Sequence, residues 1–235
     1  MTKPKGLVSW SSGKDSAWAL ETIRRANNID IVGLLTTVTE GYDRVSMHGV
    51  REEILERQAA EAGLPLVKVR IPPSCVNADY EKAMGRALAE AREQGVRKLI
   101  FGDLYLEDVR RYREERLGGS GVEPVFPLWG RETRDLAGEM LDGGLRATVV
   151  CVDPRRLAPS FAGETWDVRF LDALPPGVDP CGENGEFHTC VTAGPMFERP
   201  LEVERGAVVS RDGFVFADLL CAAPPGRAAG RAESA

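Results

Sequence analysis

Val8-Ser-Trp-Ser-Ser-Gly-Lys-Asp-Ser16 lies between a short apolar stretch, Gly6 to Trp10, and a segment from Ala17 to Asn27 with helical spacing. The apolar stretch reads as a buried strand. Asp15 or Ser16 sits where a helix N-cap is expected. A strand therefore delivers a polar loop, Ser11 to Ser16, and a helix leaves it. Backbone N–H groups at such a helix start, reinforced by the helix dipole, make an anion site. Gly13 lets an anion approach the main chain closely. Lys14 adds a compact positive charge, and the hydroxyls of Ser11, Ser12 and Ser16 add donors. The loop is not a Walker A loop, because Gly-x-x-x-x-Gly-Lys-Ser/Thr is absent.

Outward from this loop, strands and helices alternate. Ile29 to Val38 is rich in β-branched residues and reads as a strand. Val50 to Ala62 reads as a helix ended by Gly63. Leu64 to Ile71 is a strand stopped by Pro72-Pro73. Tyr80, Ala83, Met84, Ala87, Leu88 and Ala91 mark a helix capped by Asn77 or Asp79. Lys98 to Gly102 is a strand and Leu106 to Leu117 a charged helix. Glu123 to Leu128, Glu132 to Leu141 and Leu145 to Val152 follow as strand, helix and strand. The expected fold class is α/β, a Rossmann-like parallel sheet with helices on both faces and a smaller, irregular C-terminal region. Beyond Pro154 the alternation decays among prolines and glycines. Leu201 to Phe216 reads as a closing hairpin with Arg211-Asp212-Gly213 as its turn. These shifts divide the chain into residues 1–153, the α/β domain that carries the loop, 154–221, a C-terminal region, and 222–235, a disordered Ala/Pro/Gly/Arg-rich tail.

The 235 residues are 43% hydrophobic and 28% charged, which suits a globular chain. A net charge of -6 argues against a broad nucleic-acid-binding face. The five cysteines form no C-x-x-C pair, so a disulfide framework or structural zinc site is not expected. Reduced thiols suit a cytoplasmic protein. No apolar run reaches membrane-spanning length.

The loop resembles the S-G-G-x-D-S signature of PP-loop ATP pyrophosphatases, with Ser12 in place of the first glycine. Ser46-Met-His-Gly-Val-Arg51, Phe101-Gly-Asp-Leu-Tyr-Leu-Glu-Asp108, Pro127-Leu-Trp-Gly130 and Asp179-Pro-Cys-Gly-Glu-Asn-Gly-Glu-Phe-His-Thr189 narrow the resemblance. In their order and wording they resemble the diphthine–ammonia ligase family, from about Leu7 to Pro195. The resemblance implies ATP-dependent amidation. A substrate carboxylate attacks the α-phosphate of ATP, pyrophosphate leaves, and ammonia displaces AMP from the acyl-adenylate. In the founding members the carboxylate is diphthine, a modified histidine on translation elongation factor 2. Magnesium is expected beside the phosphates, held by Asp15 and Asp103.

On this resemblance Ser11, Ser12, Gly13, Lys14, Asp15, Ser16, Thr36 and Thr37 hold the nucleotide. His48, Gly102, Tyr105, Glu107 and Asn184 face the substrate. Lys14, Asp103, Glu183, Glu186 and His188 carry the chemistry. Several positions keep a plainer alternative. Asp103 serves a ligand or caps a helix, and Asp15 touches magnesium or caps its own helix. His48 is functional or makes a loop hydrogen bond. Glu107, Asp108 and the neighbouring arginines read as a salt-bridged face. Cys181 is a nucleophile or a small buried side chain, the second being the simpler reading. If Glu186 to His188 is extended, Glu186 and His188 share a face and Phe187 points oppositely. Two other functions stay open. A tRNA-modifying PP-loop enzyme calls for a basic appendage and paired cysteines, and a nucleotide sensor needs no Glu183–His188 cluster.

Overall fold

Leu7 and Val8 are neighbours on strand β1 (Lys5–Ser9), yet they are buried in two different cores. The same split separates Leu35 from Leu34 on β2 (Asp30–Thr39) and Leu99 from Ile100 on β5 (Val96–Ile100). Alternate side chains of a strand leave by opposite faces, so this sheet is covered on both sides. The computed structural model describes residues 2–40, 44–45, 49–73 and 75–222.

With β4 (Leu66–Ile71) and β6 (Glu123–Val125), the strand order is β4-β2-β1-β5-β6, every neighbouring pair parallel. A two-residue strand, β3 (Arg44–Val45), pairs antiparallel with Val38 and Thr39 of β2. Helices α1 (Lys14–Ala26), α2 (Glu52–Glu61) and α5 (Thr133–Asp142) feed one core. Helix α3 (Asn77–Glu93) and Leu117 of α4 (Glu107–Leu117) feed the other. The expected parallel sheet with helices on both faces is thus present. Strand β1 is central, and the chain reverses its direction of winding between β1 and β5. Ligands of such sheets bind in that crevice, at the carboxyl ends of the strands.

A second sheet occupies the C-terminal part, where the sequence reads as irregular. Its central strand is β7 (Arg146–Val152). On one side β7 pairs with β9 (Phe187–Ala193), and on the other with β8 (Thr165–Trp166) and β11 (Phe214–Cys221), all antiparallel. β10 (Val203–Arg211) closes the edge against β11. β7 was expected as the sixth strand of the parallel sheet. Six of its seven residues are buried or partly buried, and an apolar strand of this kind fits the middle of either sheet type. Pairing partners decided the matter. Helix α6 (Val168–Ala173), capped by the Asp167 carboxylate on the Phe170 N–H at 2.9 Å, also falls in the stretch read as irregular. The expected hairpin is β10–β11, turned by Asp212 and Gly213 in left-handed conformations. It runs on to Cys221, five residues past the expected end.

The two sheets share one core. Val8, Leu34 and Ile100 of the first lie in a single cluster with Val149, Val191 and Val215 of the second. Arg51, at the start of α2, also forks onto Asp218 of β11 at 2.5 to 3.2 Å. No helix among the described residues is long and apolar enough to cross a membrane. The expected tail, apart from Ala222, lies outside the described residues.

Candidate active site at the phosphate loop

The loop between β1 and α1 holds its shape through hydroxyls. Ser16 Oγ donates to the Gly13 carbonyl at 2.9 Å and lies 3.1 Å from Ser11 Oγ. Ser12 has φ +70°, the left-handed conformation that favours glycine. The S-G-G-x-D-S signature carries glycine there, so the serine keeps the glycine's backbone geometry. Ser12 is fully buried, and its Oγ has no oxygen or nitrogen partner. The Cys190 thiol acts on it as a polar neighbour.

Gln58 was not singled out by the sequence reading, yet it braces this loop. It is completely buried on α2. Its amide nitrogen donates to the carbonyls of Ser12 at 3.1 Å and Val191 at 2.8 Å, and its oxygen accepts from Trp10 Nε1 at 2.9 Å. The available signal was a glutamine four residues after Ile54 on the apolar face of α2. Strand β9 closes the arrangement: Val191 N–H donates to the Ser12 carbonyl at 2.9 Å, and Thr189 Oγ1 accepts from the Lys14 N–H at 3.2 Å.

Lys14 is 2% exposed. Its ammonium donates to the Cys181 carbonyl and, at 2.9 Å, to Asp15. The rings of Phe187 and Trp166 lie 5.5 and 5.6 Å from it. Burial works against this charge, but Asp15 and the other acidic groups outweigh it and raise the lysine's pKa. The ammonium thus joins the loop to the second sheet. Phe187, expected to point away from its neighbours, packs on the same ammonium. Asp15 Oδ1 is buried without a partner. Gly102, at the end of β5, presses on the start of α1, where a Cβ would stand 2.6 Å from the Asp15 carbonyl carbon.

The C-terminal motif forms a turn under Lys14. Asp179 Oδ1 accepts from the N–H groups of Cys181 at 2.8 Å and Glu183 at 3.2 Å, and its Oδ2 accepts from Thr133 Oγ1 at 2.7 Å. Glu183 thereby reaches the switch point, where its Oε1 accepts from the N–H groups of Leu104 at 2.7 Å and Tyr105 at 3.4 Å. Burial pushes the Glu183 carboxyl up to about 7; the Leu104 N–H opposes this, and Asp15 and Asp103 add to it. Glu186 is buried, with Oε1 accepting from Asp179 N–H at 3.2 Å and Asn184 Nδ2 at 3.0 Å. Its Oε2 has no partner. Burial and the Lys14 charge push His188 down to about 4 against the pull of Glu186, so its imidazole is neutral. Tyr105 shares a hydrogen bond with Asn184, and burial together with Asp179 pushes its phenol up to about 12.

The structure thus brings together Ser11, Ser12, Gly13, Lys14, Asp15, Ser16, Gly102, Tyr105, Glu183, Asn184, Glu186 and His188. Thr36 lies buried within β2, three residues before its end, with an unpartnered Oγ1, while Thr37 is partly exposed. Asp103 is gripped by Arg113 at 2.6 and 2.9 Å, and Arg113 stacks on Phe101. Glu107 is exposed on the first turn of α4. His48 lies outside the described residues. Cys181 is buried, its thiol pushed well up by burial, which makes it inert at neutral pH. Among the described residues no group of three or more His, Cys, Asp or Glu is arranged to hold a metal ion. A magnesium ion coordinated chiefly by phosphate needs only one or two carboxylates. The free Asp15 Oδ1 fits that part, and Asp103, with both oxygens on Arg113, does not.

Two family models match the chain in order: the diphthamide synthase N-terminal domain over residues 4–123 and the diphthamide synthase C-terminal domain over residues 132–215. The diphthine–ammonia ligase of Bos taurus is 26% identical over 243 residues, covering 89% of this chain and 86% of that protein. The Danio rerio protein of the same name is 25% identical, covering 91% of each. The Homo sapiens protein is 31% identical over 120 residues, 48% of this chain. The chain belongs to the diphthamide synthase family and is an enzyme of the diphthine–ammonia ligase kind.

Proposed function

We propose that this enzyme adenylates a carboxylate with ATP and amidates it with ammonia, releasing pyrophosphate and AMP. The observation that carries the proposal is the meeting of two loops. The phosphate loop and the Glu183 carboxylate converge on the crevice between β1 and β5. The names of the relatives supply the nitrogen donor and the type of acid.

The triphosphate lies at the N-terminus of α1, where helix N–H groups, the Ser12 main chain and the hydroxyls of Ser11 and Ser16 receive the departing pyrophosphate. Such catalysis rests on positioning and electrostatic stabilisation. Adenine lies toward Thr36 and Thr37. Asp15 would hold magnesium together with the phosphates, and the ion would supply neutralisation of charge on the leaving group. Lys14 holds the Cys181 turn in place, and its positive charge lies beneath the phosphates. Asp103 positions Arg113. Glu183 moves a proton, and Tyr105, Glu107 and Asn184 line the acid's side of the crevice; the substrate role expected of His48 falls outside the described residues. The acid is protein-borne in this reading, on an elongation factor 2-like partner, and the enzyme works in the cytoplasm. Residues 1–153 bind ATP and 154–221 face the substrate, although β7 already pairs with the later strands and the family models divide the chain between 123 and 132.

The test follows ATP with the enzyme, magnesium, ammonium and a cell extract depleted of small molecules. Extract-dependent AMP and pyrophosphate support the reading. ADP and phosphate as products would sink it.

A further inference from the structure

Glu186 Oε2 is the starting point. It belongs to a side chain 2% exposed and has no partner. Buried carboxylate oxygens are as a rule satisfied by donors, because desolvating one without compensation is costly. Around it the charge is one-sided. Asp179, Glu183, Glu186 and Asp15 all act on the cluster, and Tyr105 senses three of them. Lys14 acts on both Cys181 and His188, and its donors are turned to Cys181 and Asp15. His188 is neutral.

We infer that Glu186, Glu183, Tyr105 and Asn184 form a binding site for an ammonium ion, the nitrogen substrate of the reaction proposed above, on which this inference rests. A metal ion needs ligands converging at about 2.0–2.6 Å. No such convergence of acidic side chains occurs among the described residues. Ammonium instead offers four N–H donors working at about 2.9 Å, and so accepts a looser, mixed set of oxygens. Glu186 Oε2 provides the free acceptor. The Tyr105 hydroxyl, tied to Asn184 and within electrostatic reach of Glu186, provides another. Glu183 is fixed by the Leu104 N–H at the crevice where the adenylated acid lies.

The chemistry balances. Ammonium gives one proton to the Glu183 carboxylate and becomes ammonia. The nitrogen lone pair attacks the acyl carbon, the C–N bond forms, and the C–O bond to AMP breaks, so AMP leaves with that electron pair. The nitrogen then sheds a second proton to the neutral His188 imidazole, leaving the amide.

Thermal unfolding of the full chain tests the site. Ammonium chloride is titrated against sodium chloride and potassium chloride at equal ionic strength; potassium matches ammonium in size but lacks N–H groups. The expected result is a saturable rise in Tm with ammonium only, weakened about tenfold or more in Glu186→Gln and reduced in Tyr105→Phe. If Glu186→Gln does not fold, Tyr105→Phe carries the test. An equal rise with potassium, a rise unchanged in the variants, or no rise overturns the site. A Glu186-dependent response to magnesium chloride in place of ammonium overturns it as well. ATP binding to the wild type is followed in parallel by tryptophan fluorescence. Failure to bind ATP counts against the ligase reading itself. ATP binding without an ammonium response removes only the ammonium site.

Discussion

The Leu104 N–H donates to Glu183 Oε1 at 2.7 Å, across 79 residues of sequence. One carboxylate therefore ties the C-terminal motif to the loop that follows β5. The same bond opposes, without cancelling, the burial that pushes this carboxyl up to about 7. A group titrating there can take and return a proton near neutral pH.

Glu183→Gln is expected to lower the turnover of AMP formation by about 10²–10⁴-fold. The wild-type rate should rise as pH passes through about 7 and the base ionises. A pH–rate profile of the purified enzyme, using extract as acid source, checks both. A rate that is unchanged in the variant removes Glu183 from proton transfer.

Stability should respond to the same group. Its folded pKa lies above the ordinary glutamate value, so its contribution is fully present below that ordinary value and is lost as pH rises through about 7. Glutamine mimics the protonated form. Calorimetry from pH 4 to pH 8 should show the Tm of Glu183→Gln gaining on the wild type as pH increases. A constant difference across that range would contradict the burial argument.

Ser12→Gly should stabilise the fold and leave ATP binding nearly unchanged. The left-handed φ costs a non-glycine residue about 1–2 kcal/mol, partly offset by glycine's own entropic cost of about 0.5–1 kcal/mol. Removing the unpartnered Oγ adds to the gain. Urea denaturation should show a net increase of about 1 kcal/mol. Isothermal titration with ATP should show little change, because the Ser12 Oγ is fully buried and does not reach a phosphate. Ser12→Ala keeps the strained backbone, so it should lack most of the stability gain.

Gly102→Ala puts a Cβ 2.6 Å from the Asp15 carbonyl carbon and 2.8 Å from both the Asp15 oxygen and the Ser16 nitrogen. These are backbone atoms of the phosphate site, so α1 must shift. A loss of about 1–3 kcal/mol is expected, with ATP affinity falling more than stability alone explains. Thermal unfolding with and without ATP separates the two effects.

Gln58→Leu strands the Trp10 indole N–H and removes donors from the carbonyls of Ser12 and Val191. Destabilisation of about 1–3 kcal/mol is expected, with weaker ATP binding because Ser12 loses a brace. Urea denaturation and ATP titration check this. A stable variant with unchanged ATP affinity would show that β9 holds the loop unaided.

The strand–loop–helix at Ser11 to Ser16, the alternation around it and the β10–β11 turn were legible in the sequence. Each depends on local matters: apolar period, β-branched runs, and turn residues such as Asp212-Gly213. The placement of β7 was not legible. Neither was β9, whose Phe187–Ala193 stretch sits among glycines and prolines.

At the site, residue types and motif order named most of the groups that meet, and local spacing alone placed the loop at the start of α1. Only the tertiary structure turned the Lys14 ammonium toward Cys181, locked Asp103 onto Arg113, brought Glu183 to Leu104 and drew Gln58 into the loop. The physical reason is range. Backbone preference and side-chain period act over a few residues, whereas these contacts join segments between 10 and 167 residues apart. Their formation depends on which strands pair and which faces close together.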